Sequence, residues 1–196
     1  DTINRNMLTG EYGYYNEQTD YAFATDSAVA IDYSQGDSLF LHADTLLMET
    51  FHQNTDSMFR EMRAFHKVRF YRTDVQGTAD SLVFSTVDSC LTMYRDPIIW
   101  NKNQQLLGEV KKVYMNDSRI DWSHIIGQAL SVERVDSTIY NQVTGKEMKS
   151  YFANGEMRKT EVIGSVRVVY YPMDSDSTLI GMNVSETSKL EIYLQD

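Results

Sequence analysis

Cysteine is all but missing from this chain. Cys90 stands alone among 196 residues, so it cannot close an internal disulfide, and the redox compartment is left open. Its alternation with Leu91 and Met93 reads as a small packed residue rather than a reactive thiol. Proline is scarce too, with 2 copies, so the turns must rest on Gly, Asn and Asp. No apolar run is long enough to span a bilayer as a helix. Basic residues number 18 against 28 acidic ones, for a formal charge of −10. With no basic stripe to follow a phosphate backbone, nucleic acid is excluded as a partner, and general adhesion to anionic membranes is disfavoured. The four histidines, His42, His52, His66 and His124, do not pair at metal-ligand spacing. There is no Cys-x-x-Cys, no Asp-x-Asp-x-Asp-Gly loop and no glycine-rich phosphate loop. No metal and no cofactor is expected.

What the chain has is strand chemistry. Tyrosine occurs 13 times and the hydrophobic fraction is 42%, which with valine, isoleucine and threonine favours β structure and a core of ordinary size. The organising stretch is Gln76 to Phe84, running on through Tyr94-Arg95-Asp96-Pro97 to Gln105-Leu106-Leu107-Gly108. It reads as a turn, a short strand, a polar turn, a second strand ending at a proline, and a loop to the next glycine. Echoes surround it. Ala43-Asp44-Thr45-Leu46 mirrors Ala79-Asp80-Ser81-Leu82, and glycines recur roughly every thirty to forty residues, which predicts stacked supersecondary units.

In chain order, Glu11–Tyr15 and Tyr21–Tyr33 predict a hairpin, and Leu39–Leu41 with Leu46–Met48 a second pair joined at 42–45. Residues 49–61 lack a sustained helical stripe and read as a loop. Met62–Arg72 alternates, with Ala64, Val68 and Phe70 on one face and Arg63, Lys67 and Arg69 on the other. Val110–Met115 alternates again, and Ile120–Val135 is apolar on both faces, as expected of a segment that bends or covers one end. Glu147–Phe152 and Glu156–Val162 predict a hairpin turning at Asn154-Gly155. Val166, Val168 and Tyr170 continue the ladder. Leu190–Leu194 is a period-two strand that reads as a sheet edge, open to the next unit or to another molecule. The chain reads as one β domain over 1–196, a segment of a longer secreted precursor.

One motif suggests catalysis. Gly36-Asp37-Ser38-Leu39 spells the nucleophile block of GDSL esterases, and Asp121-Trp122-Ser123-His124 supplies an Asp-x-x-His. A serine hydrolase needs a base at the serine and a carboxylate orienting that base. Against it, no stretch gives the amphipathic helices of a covered parallel sheet, and Gly181-Met182-Asn183-Val184 lacks the aspartate of a Gly-x-Asn-Asp block. Asp-Ser-Leu also recurs at Asp80 and Asp-Thr-Leu at Asp44, so the tetrapeptide reads as repeat turn chemistry.

Several phrases, in order, carry a resemblance: Gly36-Asp37-Ser38-Leu39 with Ala43-Asp44-Thr45-Leu46, Val68-Arg69-Phe70-Tyr71, Gly77 to Leu82, Tyr94 to Trp100, Tyr140 to Lys146 and Ile180-Gly181-Met182-Asn183. Together they resemble the OstA-like proteins of Bacteroidetes, which are similar to the LptA/LptC group and the N-terminal domain of LptD. The resemblance implies an incomplete, open-ended β jelly roll that stacks end to end in the periplasm, in association with the outer membrane. Its implied partners are lipopolysaccharide or another acyl lipid, and other Lpt-type proteins or itself through edge strands. It implies no catalysis.

Slot residues follow from alternation: Ala64, Val68, Phe70, Leu82, Phe84, Leu91, Met93, Val113, Met115, Phe152, Val166, Val168, Leu190 and Ile192. Two further readings stand beside the lipid-binding one. In the first, a scaffold β domain has a filled core and acts by edge pairing. The second is the GDSL-like esterase.

Overall fold

The computed structural model describes residues 5–34, 36–117, 119–175 and 178–194. The fold is all-β, with fourteen strands and no helix among the described residues. The chain divides into two compact units, residues 1–97 and 98–196. Unit 1 holds β1 (Asn6–Thr9), β2 (Tyr12–Asn16), β3 (Tyr21–Asp32), β4 (Leu39–Phe51), β5 (Phe59–Arg72), β6 (Val75–Ser85) and β7 (Cys90–Tyr94). Unit 2 holds β8 (Ile98–Asn101), β9 (Gln104–Leu107), β10 (Val110–Asn116), β11 (Arg119–Arg134), β12 (Tyr140–Ala153), β13 (Glu156–Tyr170) and β14 (Asn183–Tyr193).

Within unit 1 the strands form an antiparallel meander in the order β1-β3-β4-β5-β6-β7. Strand β2 pairs with the first half of β3 and β1 with the second half. Unit 2 repeats the plan: β10 pairs with the first half of β11 and β9 with the second, and β12, β13 and β14 follow in order. Gly10 and Gly108 occupy the same place in the two plans. A Cβ on Gly10 would meet the Thr25 carbonyl oxygen at 2.9 Å, and one on Gly108 would meet Ile125 Cγ2 at 2.3 Å. Both glycines therefore let the chain cross close to the long strand beside it. The repeat visible in the structure is thus half the chain, longer than the glycine spacing suggests.

Every long strand bends at one register. In β3 and β5 the bend is a pair of left-handed residues, Asp26-Ser27 (φ 60° and 61°) and His66-Lys67 (φ 60° and 52°). In β11 and β13 it is Gly127-Gln128 (φ 74° and 45°) and Gly164-Ser165 (φ 83° and 50°). The register shifts there, so that Asp26-Ser27 oppose the single Asp44 and His66-Lys67 oppose the single Asp80. Likewise Gly127-Gln128 oppose Lys146, and Gly164-Ser165 oppose Ser188. Such two-against-one bulges bend a strand and re-aim its side chains. Consequently Ala43 and Leu46, three residues apart, are both buried, as are Ala79 and Leu82. Strict alternation would put the members of each pair on opposite faces.

The β2–β3 and β12–β13 hairpins lie where expected, the latter turning on Asn154 (φ 56°) and Gly155 (φ 83°) as a two-residue turn with both residues left-handed requires. The presumed turn at 42–45 lies instead within the continuous strand β4, facing the bulge of β3, and Ala79-Asp80-Ser81-Leu82 is its equivalent in β6, facing the bulge of β5. The loop reading of 49–61 holds only for the middle, since β4 runs to Phe51 and β5 starts at Phe59. Ile120–Val135 bends, at Gly127-Gln128, rather than covering an end; it is most of the sixteen-residue strand β11.

Ion pairs decorate the bend of unit 1: Lys67 Nζ to Asp44 Oδ2 at 3.4 Å, His66 Nδ1 to Asp80 Oδ1 at 3.4 Å, and Arg95 Nη1 to Asp80 Oδ2 at 3.1 Å. They are solvent-exposed and contribute little. The core of unit 2 consists of Ile125, Ala129, Met148, Val162 and Val166, all buried and packed by Leu106, Val143, Val168 and Leu190. Met148→Ala should therefore cost about 3 kcal/mol, within the range for emptying a core methionine site, whereas Asp44→Ala should cost under about 1 kcal/mol. Urea unfolding midpoints of the two variants check this. A larger loss for Asp44→Ala would mean that charge, not backbone and packing, sets the bend.

Candidate functional site

Unit 1 leaves open what unit 2 fills. On its inner face, β2 pairs Gly13 with Ala24 and Tyr15 with Ala22 of β3. The equivalent pairs in unit 2 are Lys111 with Ile125 and Val113 with Ser123; Lys111, Val113 and Ile125 are all buried. Replacing a lysine and an isoleucine by glycine and alanine removes most of the side-chain volume at that spot. At that spot lies a groove of about 1140 Å³ along β1 to β5, lined by Leu8, Gly13, Tyr15, Ala22, Ala24 and Met48 and reaching Tyr14 and Phe23. Small-molecule sites run to about 300–1,000 Å³, so the groove lies just above that range. It is not closed by its own side chains: Leu8 is 44% exposed, Tyr15 60% and Met48 37%.

One polar cluster stands at the groove. Asp20, at the head of β3, and Arg60, at the head of β5, both line it. Arg60 Nη2 lies 3.0 Å from Asp20 Oδ2, and the Thr50 hydroxyl donates to the same carboxylate oxygen at 2.7 Å. Arg60 Nε donates to Thr50 Oγ1 at 3.3 Å. The opposite face of the same sheet is different in kind, with Arg63 held between Glu49 and Glu61 and the rings of Tyr12, Tyr14, Tyr21 and Phe23 clustered together.

All fourteen slot candidates lie on the inner faces of their own units. Ala64, Val68, Leu82, Met93, Val113 and Val166 are buried; Phe70, Phe84, Leu91, Met115, Phe152, Val168, Leu190 and Ile192 are half-buried. Val166, Val168 and Leu190 belong to the packed cluster of unit 2. None of the fourteen lines the groove of unit 1. Alternation found the face but not the opening, because the opening is made by side chains that are small. The usable signal was the run of Gly10, Gly13, Ala22 and Ala24 in one short stretch.

The esterase-like residues are dispersed. Ser38 lies in the loop before β4, and Asp37 beside it accepts hydrogen bonds from the Thr73 hydroxyl and, at 3.3 Å, from the Thr73 amide. The Thr73 hydroxyl, first among the causes, holds the Asp37 carboxyl below the usual aspartate range. Asp121 lies exposed at a register shift of β11, between Ile120 and Trp122, and His124 is half-buried beyond it. His124 Nε2 pairs instead with Glu147 Oε2 at 2.9 Å. Among the described residues no cluster of three His, Cys, Asp or Glu side chains could hold a metal ion.

The two terminal edges differ in chemistry. Among the described residues β1 and β2 pair only with β3, and β14 pairs only with β13. In unit 2 the strand equivalent to β1, β9, is covered on its far side by β8. The β14 edge carries a charge ladder: Lys159 reaches Glu161 and Glu191, Lys189 reaches Glu191, and the Tyr193 hydroxyl donates to Glu191 at 2.7 Å. Charges on an edge strand restrict what can pair with it. No protein-family model and no curated protein matches the chain.

Hydrogen bonding from Lys189, and then from Tyr193, pulls the Glu191 carboxyl down to about 2. A folded-state value below the unfolded one makes its contribution to stability complete above the ordinary glutamate range and lost as the pH falls towards 2. Lys189→Ala should raise the Glu191 midpoint from about 2 towards the ordinary value near ~4.3. Carboxyl carbon shifts in an NMR titration check this, and an unmoved midpoint would show that Lys189 is not the cause.

Proposed function

We propose that this chain is a non-enzymatic lipid-binding module of the OstA-like kind, an open-ended β jelly roll that takes acyl chains along its inner face during lipopolysaccharide transport through the periplasm. The observation that carries this reading is the groove of about 1140 Å³ in unit 1, opened by Gly13 and Ala24 where unit 2 has Lys111 and Ile125. An apolar floor with few polar groups suits a ligand bound by burial rather than by directional contacts. Eight buried methylenes contribute on the order of 6 kcal/mol before the costs of association, without fixing the chain at one position along its axis. The resemblance read from the sequence points the same way. Edges at β1/β2 and at β14 that pair with no further strand among the described residues fit end-to-end stacking with a second copy or another Lpt-type protein by strand addition.

A second reading is supported by unit 2, whose core is filled. In that reading the chain is a scaffold that acts through its edges, and the groove in unit 1 stays empty of lipid.

The two part on a binding measurement. Gly13 has open space around it, the nearest atom to an added Cβ being the Phe23 carbonyl oxygen at 3.6 Å, so Gly13→Leu can fill the groove without pushing the backbone. With the fluorescent apolar probe N-phenyl-1-naphthylamine, displaced by purified lipopolysaccharide, the native chain should show saturable binding. Gly13→Leu should weaken it about tenfold, equivalent to ~1.4 kcal/mol, with an unchanged unfolding midpoint. No saturable binding by the folded chain, or equal binding by the variant, supports the scaffold.

A further inference from the structure

We propose that Arg60 makes the unit 1 groove selective for amphiphiles whose headgroup is a single oxyanion, a carboxylate or a phosphate, with Asp20 acting as the built-in competitor for that headgroup. The inference rests on the reading of the groove as an acyl site and adds to it the chemistry of the head.

Position comes first. Arg60 opposes Thr50 across β4 and β5, two residues from the Met48–Met62 pair that shares the inner face. A chain lying over Ala22, Ala24 and Met48 therefore ends within reach of Arg60, because both groups line the same groove. Among the described residues, the guanidinium is the one cationic group on the groove's lining. In a chain of net charge −10, whose surface repels anions in general, a lone cation at the end of an apolar trough is a selective feature rather than a background one.

Donor inventory follows. A guanidinium has five N–H donors in a planar fork. Asp20 engages Nη2 and Thr50 engages Nε, while Nη1 has no partner among the described residues. The Arg60 side chain is 56% exposed against 24% for Asp20. A ligand oxyanion can thus use Nη1 directly, or displace Asp20 and take the bidentate geometry that carboxylates and phosphates share. Displacement is inexpensive, since the Arg60 end of the pair is open to solvent, where ion pairs are weak. Thr50 holds the released carboxylate through its hydroxyl, so Asp20 has somewhere to stay when the headgroup is seated.

The equivalent corner of unit 2 is built otherwise. There Arg158 pairs with Glu156 two residues away on its own strand, beside a face already filled by Lys111 and Ile125. An arginine facing an open apolar groove is therefore a feature of unit 1.

The test compares three twelve-carbon probes, dodecanoate, dodecyl phosphate and dodecanol, competed against N-phenyl-1-naphthylamine on the native chain, Arg60→Gln and Asp20→Asn at neutral pH and low salt. The native chain should prefer both anions to the alcohol by about tenfold. Arg60→Gln should erase that preference while leaving dodecanol binding unchanged, and Asp20→Asn should strengthen the anions several-fold and leave the alcohol alone. A preference for only one of the two anions assigns the head to that class. Equal weakening of all three probes by Arg60→Gln, or an unchanged preference, overturns the role of Arg60 while the acyl site stands. Failure of every probe to bind a folded native chain overturns both.

Discussion

The row of two-against-one bulges is the constraint on which the rest depends. A flat antiparallel meander of strands this long exposes one whole face, and its apolar residues alternate without interruption. Here left-handed pairs at Asp26-Ser27, His66-Lys67, Gly127-Gln128 and Gly164-Ser165 interrupt every other strand at the same register. The intervening strands answer with one residue each, Asp44, Asp80, Lys146 and Ser188. Buried residues on both sides of the row, Ala24 and Ala28, Ala64 and Val68, Val162 and Val166, thereby share one interior within each unit. Bending of strands at bulges is a general route to enclosing a core.

On that common plan the two halves differ in the side-chain volume of their interiors. Unit 2 fills its interior with Ile125, Met148, Val162 and Val166. Unit 1 carries alanine at many of the inward positions, including Ala22, Ala24, Ala28, Ala43, Ala64 and Ala79. Alanine and glycine contribute little burial energy, so the open half gives up packing for accessible volume. A site defined by missing side chains needs no catalytic residue, and the polar groups around it, Asp20, Thr50 and Arg60, are few enough to be read individually.

Much of this was legible in the sequence, and the misses have a common cause. Period-two alternation located most of the long strands, and Asn154-Gly155 announced its hairpin. What alternation could not carry was the phase slip at Asp44 and Asp80. Aspartate, serine and threonine are frequent in turns, so Ala-Asp-Thr-Leu and Ala-Asp-Ser-Leu looked like turns, whereas the left-handed residues of each bulge lie on the facing strands, at Asp26-Ser27 and His66-Lys67. The same slip hid the continuity of β4 and the equivalence of the two halves. The groove escaped for a different reason: the slot candidates were taken from the alternating apolar residues of the strands, whereas the groove is opened by small residues, Gly13, Ala22 and Ala24. Comparison of Gly13 and Ala24 with Lys111 and Ile125 needs the register, which only the structure supplies.

The central claim is that the interior of unit 1, and not that of unit 2, receives an acyl chain. The most direct test is methyl NMR of the folded chain titrated with a fatty acid carrying a nitroxide near the end of its tail. The account predicts that the methyl signals of Ala22, Ala24 and Met48 broaden on addition and recover when the nitroxide is reduced, while those of Ala129 and Met148 keep their intensity. Broadening centred on Ala129 and Met148, or none at saturating ligand, would contradict it.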